Sequence, residues 1–188
     1  MLAVVLVASE LLIVSAVTVV LTWMFLSGIR SASSGAPFVP MKASRVHPLL
    51  AAMGLTGNDL FFDMGCGDAR VLECAVRDFG VRRAVGYDVA WWPLWLARRR
   101  IRRAGLGGRV TLQQTDARTA PVSEATAVYL YLYPRLVNEV AGHLAHELRR
   151  GARVLCPAFP IDTRRHPRFR LIRQVAVDSI SAYLYETA

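Results

Sequence analysis

The stretch Asp63-Met64-Gly65-Cys66-Gly67-Asp68 decides the fold class of this chain. It follows the apolar run Leu60-Phe61-Phe62 and precedes residues 69–78, which have the apolar spacing of an amphipathic helix. Glycines between a strand and a helix let the backbone turn sharply and approach a bound molecule closely. The order of strand, glycine loop and helix therefore predicts a nucleotide-type binding loop at the carboxyl end of a strand.

Strands and helices alternate along the chain on both sides of this loop. Further strands are predicted at 83–87, 109–114, 127–132 and 153–157, and helices at 44–53, 69–78, 91–104 and 135–149. Two last strands, 169–177 and 181–186, are separated by Asp178 and Ser179 and predict an antiparallel hairpin. This alternation predicts an α/β fold, in which a parallel sheet carries helices on both faces and the closing hairpin brings the strands to seven.

Three acidic residues stand where the first three predicted strands end. Asp88 ends the second strand, and an acid there can accept hydrogen bonds from both hydroxyls of a ribose. Asp116 follows the third strand, where a carboxylate can accept a hydrogen bond from an adenine amino group. Asp63 ends the first strand, close to where a sulfonium and an ammonium group would lie in such a site. Together with Gly65 and Gly67, these acids predict S-adenosylmethionine as the cofactor.

A dinucleotide-binding oxidoreductase is the first alternative, because it shares a glycine loop and a ribose-binding acid. Its fingerprint requires G-x-G-x-x-G, in which the third glycine allows close packing of the helix on the strand. Arg70 stands at the position of that third glycine, and the acids Asp63 and Asp116 also favour S-adenosylmethionine. A tight turn between strand and helix with unrelated acids is the second alternative.

The end of the fourth predicted strand supplies the candidate residues on the acceptor side. It reads Tyr129-Leu130-Tyr131-Leu132-Tyr133-Pro134, and Tyr131 and Tyr133 are the candidates. Methyl transfer from sulfur depends on positioning and on exclusion of water, so no catalytic triad is required and none is assigned. Methyltransferases that act on amino groups of bases often carry Asn/Asp-Pro-Pro-Tyr/Phe at this point. The absence of that motif counts against a methyltransferase that acts on base amino groups, and a nucleic-acid partner is not expected.

Five short segments, taken in order, resemble one family: the small prokaryotic protein-lysine methyltransferases and their mitochondrial membrane-anchored relatives. The glycine loop resembles the family's D-L-G-x-G-D-G-R-I segment, with Ala69 in place of its last glycine. The other four are the lead-in segment Phe38-Val39-Pro40, the strand end Val85-Gly86-Tyr87-Asp88, Tyr131-Leu132-Tyr133-Pro134 and Gly151-Ala152-Arg153-Val154. The resemblance implies a seven-stranded Rossmann-like methyltransferase sheet.

The same resemblance implies N-methylation of lysine side chains in proteins, with S-adenosyl-L-methionine as the methyl donor. It adds Asp68, Phe38 and Pro40 to the residues expected at the cofactor. Two alternatives stay open: methylation of a lipid or quinone, which an enzyme held near a bilayer would reach, and an inactive membrane-tethered binding module. Ala69 motivates the second of these, because its methyl group stands where the family has glycine.

The N-terminal residues predict a transmembrane anchor. Residues 11–29 carry no charge, and at 1.5 Å per residue they span roughly 28 Å, close to the ~30 Å hydrocarbon core of a bilayer. Arg30, Lys42 and Arg45 follow, so the positive-inside rule places the C-terminal domain in the cytoplasm. A cleaved signal peptide would carry a basic residue before a shorter apolar core. We expect a single-pass membrane protein with an anchor at 1–30, a juxtamembrane linker and lead-in segment at 31–43, and a methyltransferase domain at 44–188.

The charge balance is basic. The 188 residues contain 23 Lys and Arg against 14 Asp and Glu, for a net charge of +9. Such a balance fits nucleic acid, anionic lipid headgroups or a basic solvated surface. The arginine-rich run 98–103 fits a solvated helix face or a contact with lipid, and for Trp91, Trp92 and Trp95 packing on the sheet is the favoured interpretation. The three cysteines, Cys66, Cys74 and Cys156, predict neither a disulfide framework nor a zinc site.

Overall fold

The computed structural model describes residues 2–33 and 39–188, and in the first helix it describes the side chains of residues 7 and 9–23. The helices are α1 (Leu2–Ser33), α2 (Ala43–Met53), α3 (Arg70–Asp78), α4 (Trp91–Arg103) and α5 (Pro134–Glu147). The strands are β1 (Leu60–Met64), β2 (Arg83–Asp88), β3 (Val110–Gln114), β4 (Ala127–Tyr129), β5 (Arg153–Pro157), β6 (Phe169–Val177) and β7 (Ile180–Thr187).

All seven strands join one sheet in the order β3-β2-β1-β4-β5-β7-β6. The pairs among the first five strands of this order are parallel, whereas β7 runs antiparallel to both β5 and β6. Asp178 and Ser179 connect β6 to β7, and Asp178 adopts a positive φ of 49°, which aspartate tolerates better than most residues. The predicted α/β fold with its closing hairpin is confirmed.

Two apolar cores cover the two faces of the sheet. Helices α2, α3 and α4 pack on one face, where Leu50, Leu72 and Leu94 are fully buried. Helix α5 packs on the other face, where Val140 and Leu144 are fully buried. Removal of this apolar surface from water is the main favourable contribution to folding, and it fixes the helices on both faces as predicted.

The direction of chain progression reverses between β1 and β4. From β1 the chain moves to β2 and β3 on one side, and it later returns to place β4 on the other side of β1. In α/β sheets, ligands bind in the crevice that such a reversal leaves at the carboxyl ends of the strands. The glycine loop follows β1 directly and therefore lies at this crevice.

Strand β4 is shorter than the sequence indicated. The apolar run predicts a strand over 127–132, but β4 ends at Tyr129 because its parallel neighbours β1 and β5 pair only with residues 127–129. Tyr131 and Tyr133 therefore lie in the loop that leads to α5.

Helix α1 extends to Ser33, beyond the predicted anchor 1–30 and into the predicted linker 31–43. The side chains of residues 11–23 are exposed, and the large apolar ones among them are 52–72% exposed. Among the described residues, no helix is both long enough and apolar enough to cross a bilayer, so the predicted transmembrane span is not confirmed. The predicted cofactor residue Phe38 lies outside the described residues.

Candidate cofactor and acceptor site

A cavity of about 260 Å³ lies at the carboxyl ends of β1, β2 and β4. Every sequence-predicted site residue that the structure describes lines it: Pro40, Asp63, Gly65, Gly67, Asp68, Asp88, Asp116, Tyr131 and Tyr133. The fold thus brings together residues that are far apart in the chain. What each of them binds stays a prediction.

The glycine loop forms one wall of this cavity. Gly65 has φ 90° and Gly67 has φ 52°, in the region of backbone conformation that side chains disfavour. A Cβ atom on Gly65 would lie 2.7 Å from Cδ2 of Leu132, so a side chain there would require the Leu132 side chain to move. The backbone N–H groups of Gly65 and Cys66 both donate to the carbonyl oxygen of Tyr87, at 2.8 and 2.9 Å. These two bonds hold the loop against the end of β2.

Asp88 braces the loop from the end of β2. Its Oδ2 accepts a hydrogen bond from the backbone N–H of Gly67 at 3.0 Å, and its Oδ1 accepts one from the N–H of Ala90 at 2.8 Å. Burial raises the pKa of this carboxyl, although the backbone hydrogen bonds oppose that shift. Each carboxylate oxygen keeps acceptor capacity toward the cavity, which fits the predicted contact with ribose hydroxyls.

Asp63 is the most isolated acid of the site. It is 3% exposed, and within the described part of the chain no hydrogen bond or ion pair joins its carboxylate to another residue. Burial raises its pKa well above the ordinary range, and the negative charges of Asp88 and Asp68 raise it further. A cationic group bound in the cavity would compensate this carboxylate. The chemistry of the site therefore fits a cofactor that carries sulfonium and ammonium charges.

Tyr129 contributes a buried hydroxyl that sequence reasoning missed. This residue is 1% exposed and lines the cavity, and no described group forms a hydrogen bond with its hydroxyl. Burial raises its pKa well above the ordinary value, and the charge of Asp63 adds to the shift. An unpaired buried hydroxyl costs about 1–3 kcal/mol, so a bound molecule with a polar group would relieve that cost. The alternation of the predicted strand 127–132 was the available signal, because it places Tyr129 on the same side as the candidate Tyr131.

Asp68 organises the loop rather than offering a free carboxylate. Its Oδ2 pairs with Nη2 of Arg70 at 2.8 Å and with Nη2 of Arg100 at 2.9 Å. Burial by itself would raise the pKa of Asp68, but the hydrogen bonds from Arg70 and the charge of Arg100 hold it below its usual value. Nη1 of Arg70 also donates to the carbonyl oxygen of Met41 at 2.6 Å. This network ties the lead-in segment to the glycine loop.

Asp116 lies at the cavity with its carboxylate already paired. Nε of Arg118 lies 3.0 Å from Oδ1 and Nη2 lies 2.6 Å from Oδ2. Hydrogen bonds from Arg118 lower the pKa of this carboxyl. An adenine amino group would therefore have to share an acceptor that Arg118 already uses, which sequence reasoning did not foresee.

Ala69 stands at the N-terminal cap of α3, and its backbone adopts φ 63°. It is fully buried, yet it is absent from the residues that line the cavity. The residue that replaces the family's glycine belongs to the apolar core on the side of α2, α3 and α4. This placement gives no support to the inactive binding module that Ala69 motivates.

The acceptor side of the cavity is aromatic. Tyr133 is 41% exposed and stacks on Phe159, with ring centroids 6.5 Å apart. Tyr131, Leu132 and Leu136 line the same side. An extended aliphatic chain would find apolar walls here, and a cation would find the faces of aromatic rings.

The sequence is similar to those of known methyltransferases. Residues 63–168 match the family described as the ANTKMT methyltransferase domain. The chain is 30% identical over 125 residues to a protein-lysine N-methyltransferase of Saccharolobus islandicus, covering 66% of this chain and 78% of that protein. It is 31% identical over 128 residues to the adenine nucleotide translocase lysine N-methyltransferase of Mus musculus, covering 68% of this chain and 55% of that protein.

The solved structures add a third relationship. An RNA methyltransferase from Salinibacter ruber, crystallised with S-adenosyl-L-homocysteine, is 28% identical, with a TM-score of 0.73 over 79% of this chain and 94% of the other. The chain therefore spans about half the length of the mouse relative and most of the length of the two microbial ones.

Proposed function

Since the chain belongs to the family of the ANTKMT methyltransferase domain and is therefore an S-adenosylmethionine-dependent methyltransferase, we propose that it N-methylates lysine side chains of a protein. Two relatives whose matches cover about two thirds of this chain carry lysine N-methyltransferase in their names. The structural observation that supports the proposal most directly is the aromatic mouth at Tyr133 and Phe159, which leads to the buried groups of Asp63 and Tyr129. A lysine side chain has the matching order of an apolar stem and a polar end.

The residues proposed to hold the cofactor are Asp63, Gly65, Gly67, Asp68, Asp88 and Asp116, with Pro40 and Phe38 of the lead-in segment. When bound, S-adenosylmethionine supplies a methyl group on a positively charged sulfur. Gly65 has no side chain, so its backbone can approach the cofactor closely. A Cβ atom at this position would already meet Leu132. Asp88 offers acceptors for ribose hydroxyls. Asp63 offers a buried carboxyl that no described residue pairs with, and a bound cation would favour its ionised form.

The acceptor amine must be neutral before it can attack, whereas a free lysine amine has a pKa of about 10.4. Burial between Tyr131, Tyr133 and Phe159 disfavours the charged amine and lowers its pKa. The proton leaves to water at the mouth of the cavity. The hydroxyl oxygen of Tyr129 can then accept a hydrogen bond from the neutral amine, which orients the amine's lone pair.

We also propose that the enzyme acts on membrane or membrane-associated proteins from the cytoplasmic side of a membrane. The support is the surface of α1, where a contiguous set of large apolar side chains between residues 11 and 23 is 52–72% exposed. Monomeric soluble proteins rarely expose apolar patches of this extent, and such patches mark contact with membranes or partners. The cationic residues Arg30 and Lys42, which follow, favour the cytoplasmic side.

The test is to incubate the full-length chain with membrane extract and methyl-labelled S-adenosylmethionine. The proposal expects label in protein, at lysine residues identified by mass spectrometry. Asp88→Asn should abolish most of the label, whereas Asp78→Asn, at the exposed end of α3, is the matched control that keeps it. Label confined to the lipid extract would replace the proposal with lipid or quinone methylation. Label confined to RNA would overturn it in favour of the substrate class for which the Salinibacter ruber methyltransferase is named.

A further inference from the structure

The outer side of α4 carries tryptophan and arginine side chains in one stripe. Trp91, Trp95, Arg98, Arg99 and Arg102 are exposed, and their spacing of three or four residues places them on one side of the helix. The opposite side is buried in the core through Leu94, Ala97 and Ile101. The start of α4 packs on the sheet as predicted, through the buried Pro93 and Leu94, whereas Trp91 and Trp95 are each 36% exposed.

The positive charge of this stripe is not neutralised within the described part of the chain. There, none of Arg98, Arg99, Arg102 or Arg103 forms an ion pair, whereas Arg100 turns inward and pairs with Asp68 and Glu73. The guanidinium carbon of Arg99 lies 5.6 Å from the ring centroid of Trp95, a cation–π contact that keeps charge and indole side by side. The stripe therefore presents uncompensated cations next to amphipathic aromatic rings.

The tryptophan end of the stripe touches α1. The rings of Trp23 and Trp91 meet edge to face, with centroids 5.0 Å apart. On α1, the exposed apolar side chains precede Trp23, and on α4 the arginines follow Trp91. Followed along the two helices through this contact, the order is apolar side chains on α1, tryptophans, then arginines on α4. Hydrocarbon, interface and headgroups of an anionic leaflet favour these residue types in the same order.

We infer that the outer face of α4, from Trp91 to Arg103, docks on the phosphate headgroups of an anionic lipid bilayer. The inference rests on the proposed membrane association of the chain and adds a second contact to it. Nucleic acid would also attract the arginines, but the adjoining apolar surface of α1 favours lipid. Because Arg100 of the same helix pairs with Asp68 at the cavity, docking would hold the cavity at a fixed height above the bilayer.

Tryptophan fluorescence in vesicles tests this. The full-length chain with Trp23→Phe leaves Trp91, Trp92 and Trp95 as reporters, and it is reconstituted in phosphatidylcholine vesicles with or without phosphatidylglycerol. Lipids brominated near the headgroup quench tryptophans that lie at the interface. We expect quenching at least about twofold stronger in the anionic vesicles, and its loss at high salt, which screens headgroup charge.

Two charge variants distinguish the contribution of the α4 stripe from that of the net positive charge of the protein. The first replaces Arg98, Arg99, Arg102 and Arg103 by Gln, and the second replaces the exposed Arg82, Arg149, Arg150 and Arg164. Only the first should lose the extra quenching in anionic vesicles.

Equal quenching in both variants, or in both lipids, would overturn the docking of α4 while leaving vesicle association intact. A chain that does not float with any vesicle would instead overturn the membrane proposal. Loss of RNA binding in the first variant with unchanged quenching would reassign the stripe to nucleic acid.

Discussion

The carboxylate of Asp88 accepts a hydrogen bond from the backbone N–H of Gly67 at 3.0 Å, which joins the end of β2 to the glycine loop after β1. A second hydrogen bond, from the N–H of Ala90 at 2.8 Å, fixes the other oxygen of the same carboxylate. The acid expected to bind ribose hydroxyls is therefore also the residue that holds the loop in place. If Asp88 has both roles, cofactor binding should be sensitive to the loss of this carboxylate.

Asp88→Asn is predicted to weaken S-adenosylmethionine binding by roughly 10- to 100-fold. The substitution keeps the size of the side chain but replaces one acceptor oxygen by a donor, and hydrogen bonds to a charged acceptor contribute about 1.5–3 kcal/mol each. Calorimetric titration of the purified chain measures the dissociation constant. The exposed Asp78→Asn is the control and should leave it unchanged. An affinity within twofold of the unaltered chain would contradict the role given to Asp88.

Asp59, which precedes β1, and Asp63, near the end of β1, are predicted to respond to pH in opposite directions. Asp63 has a raised pKa, so its contribution to stability is lost as pH rises from about 3.9, the unfolded value, through the folded one. Burial also acts on Asp59, but the hydrogen bond from Arg153 lowers its pKa overall, so its contribution is lost as pH falls. Asp63→Asn should therefore raise the free energy of unfolding at neutral pH, and Asp59→Asn should lower it. Denaturant titrations across pH measure both.

The carboxylate of Asp63 also links cofactor binding to pH. A bound cation favours the ionised form of Asp63, so binding should release a proton wherever the free carboxyl is protonated. Affinity is then expected to increase with pH up to the raised pKa and to level off above it. Calorimetry in two buffers with different ionisation enthalpies measures the proton release, which Asp63→Asn should abolish. A proton count that is unchanged in this variant would assign the release to another group.

The loop and the sheet could be predicted because their signals are local. Gly65 and Gly67 stand between an apolar run and a helical pattern, and the hairpin at Asp178 and Ser179 is marked by its two-residue turn. Which acidic side chains of the site are paired with a cation could not be predicted. Asp116 is paired with Arg118, whereas Asp63 has no partner in the described residues, and this difference depends on side-chain positions that spacing does not determine.

Strand β4 shows a second limit of local signals. Its apolar run continues to residue 132, but a strand exists only as far as its neighbours pair with it, and β1 and β5 pair with 127–129. Tyr129, the last paired residue of β4, lines the cavity, and its hydroxyl has no partner among the described residues, which the apolar run did not indicate.

Ala69→Gly is predicted to leave the dissociation constant of S-adenosylmethionine unchanged within about twofold. The methyl group of Ala69 is absent from the cavity lining, so its removal gives the cofactor no additional room. The substitution removes the strain of a side chain at a φ of 63°, which stabilises the fold. It also removes one buried methyl group and increases the backbone entropy lost on folding, which destabilises it. These opposing contributions should keep the change in stability within about 1 kcal/mol. Binding that becomes ten times tighter would instead show that Ala69 crowds the cofactor.

Tyr129→Phe is predicted to lower kcat about tenfold without weakening cofactor binding and without destabilising the protein. The hydroxyl of Tyr129 has no partner among the described residues, so its removal costs no hydrogen bond in the ligand-free state, but the acceptor amine loses the oxygen that orients it. Tyr185→Phe is the matched control, because that hydroxyl is bonded to the backbone of Ile161 at 3.0 Å and is absent from the cavity lining. It should lower the free energy of unfolding by about 1 kcal/mol and leave kcat unchanged. Steady-state kinetics with a lysine-containing protein substrate, together with denaturant titration, measures both effects. If Tyr129→Phe lowers stability and leaves kcat intact, the hydroxyl serves the fold, and the orientation of the amine must come from Tyr131 or Tyr133.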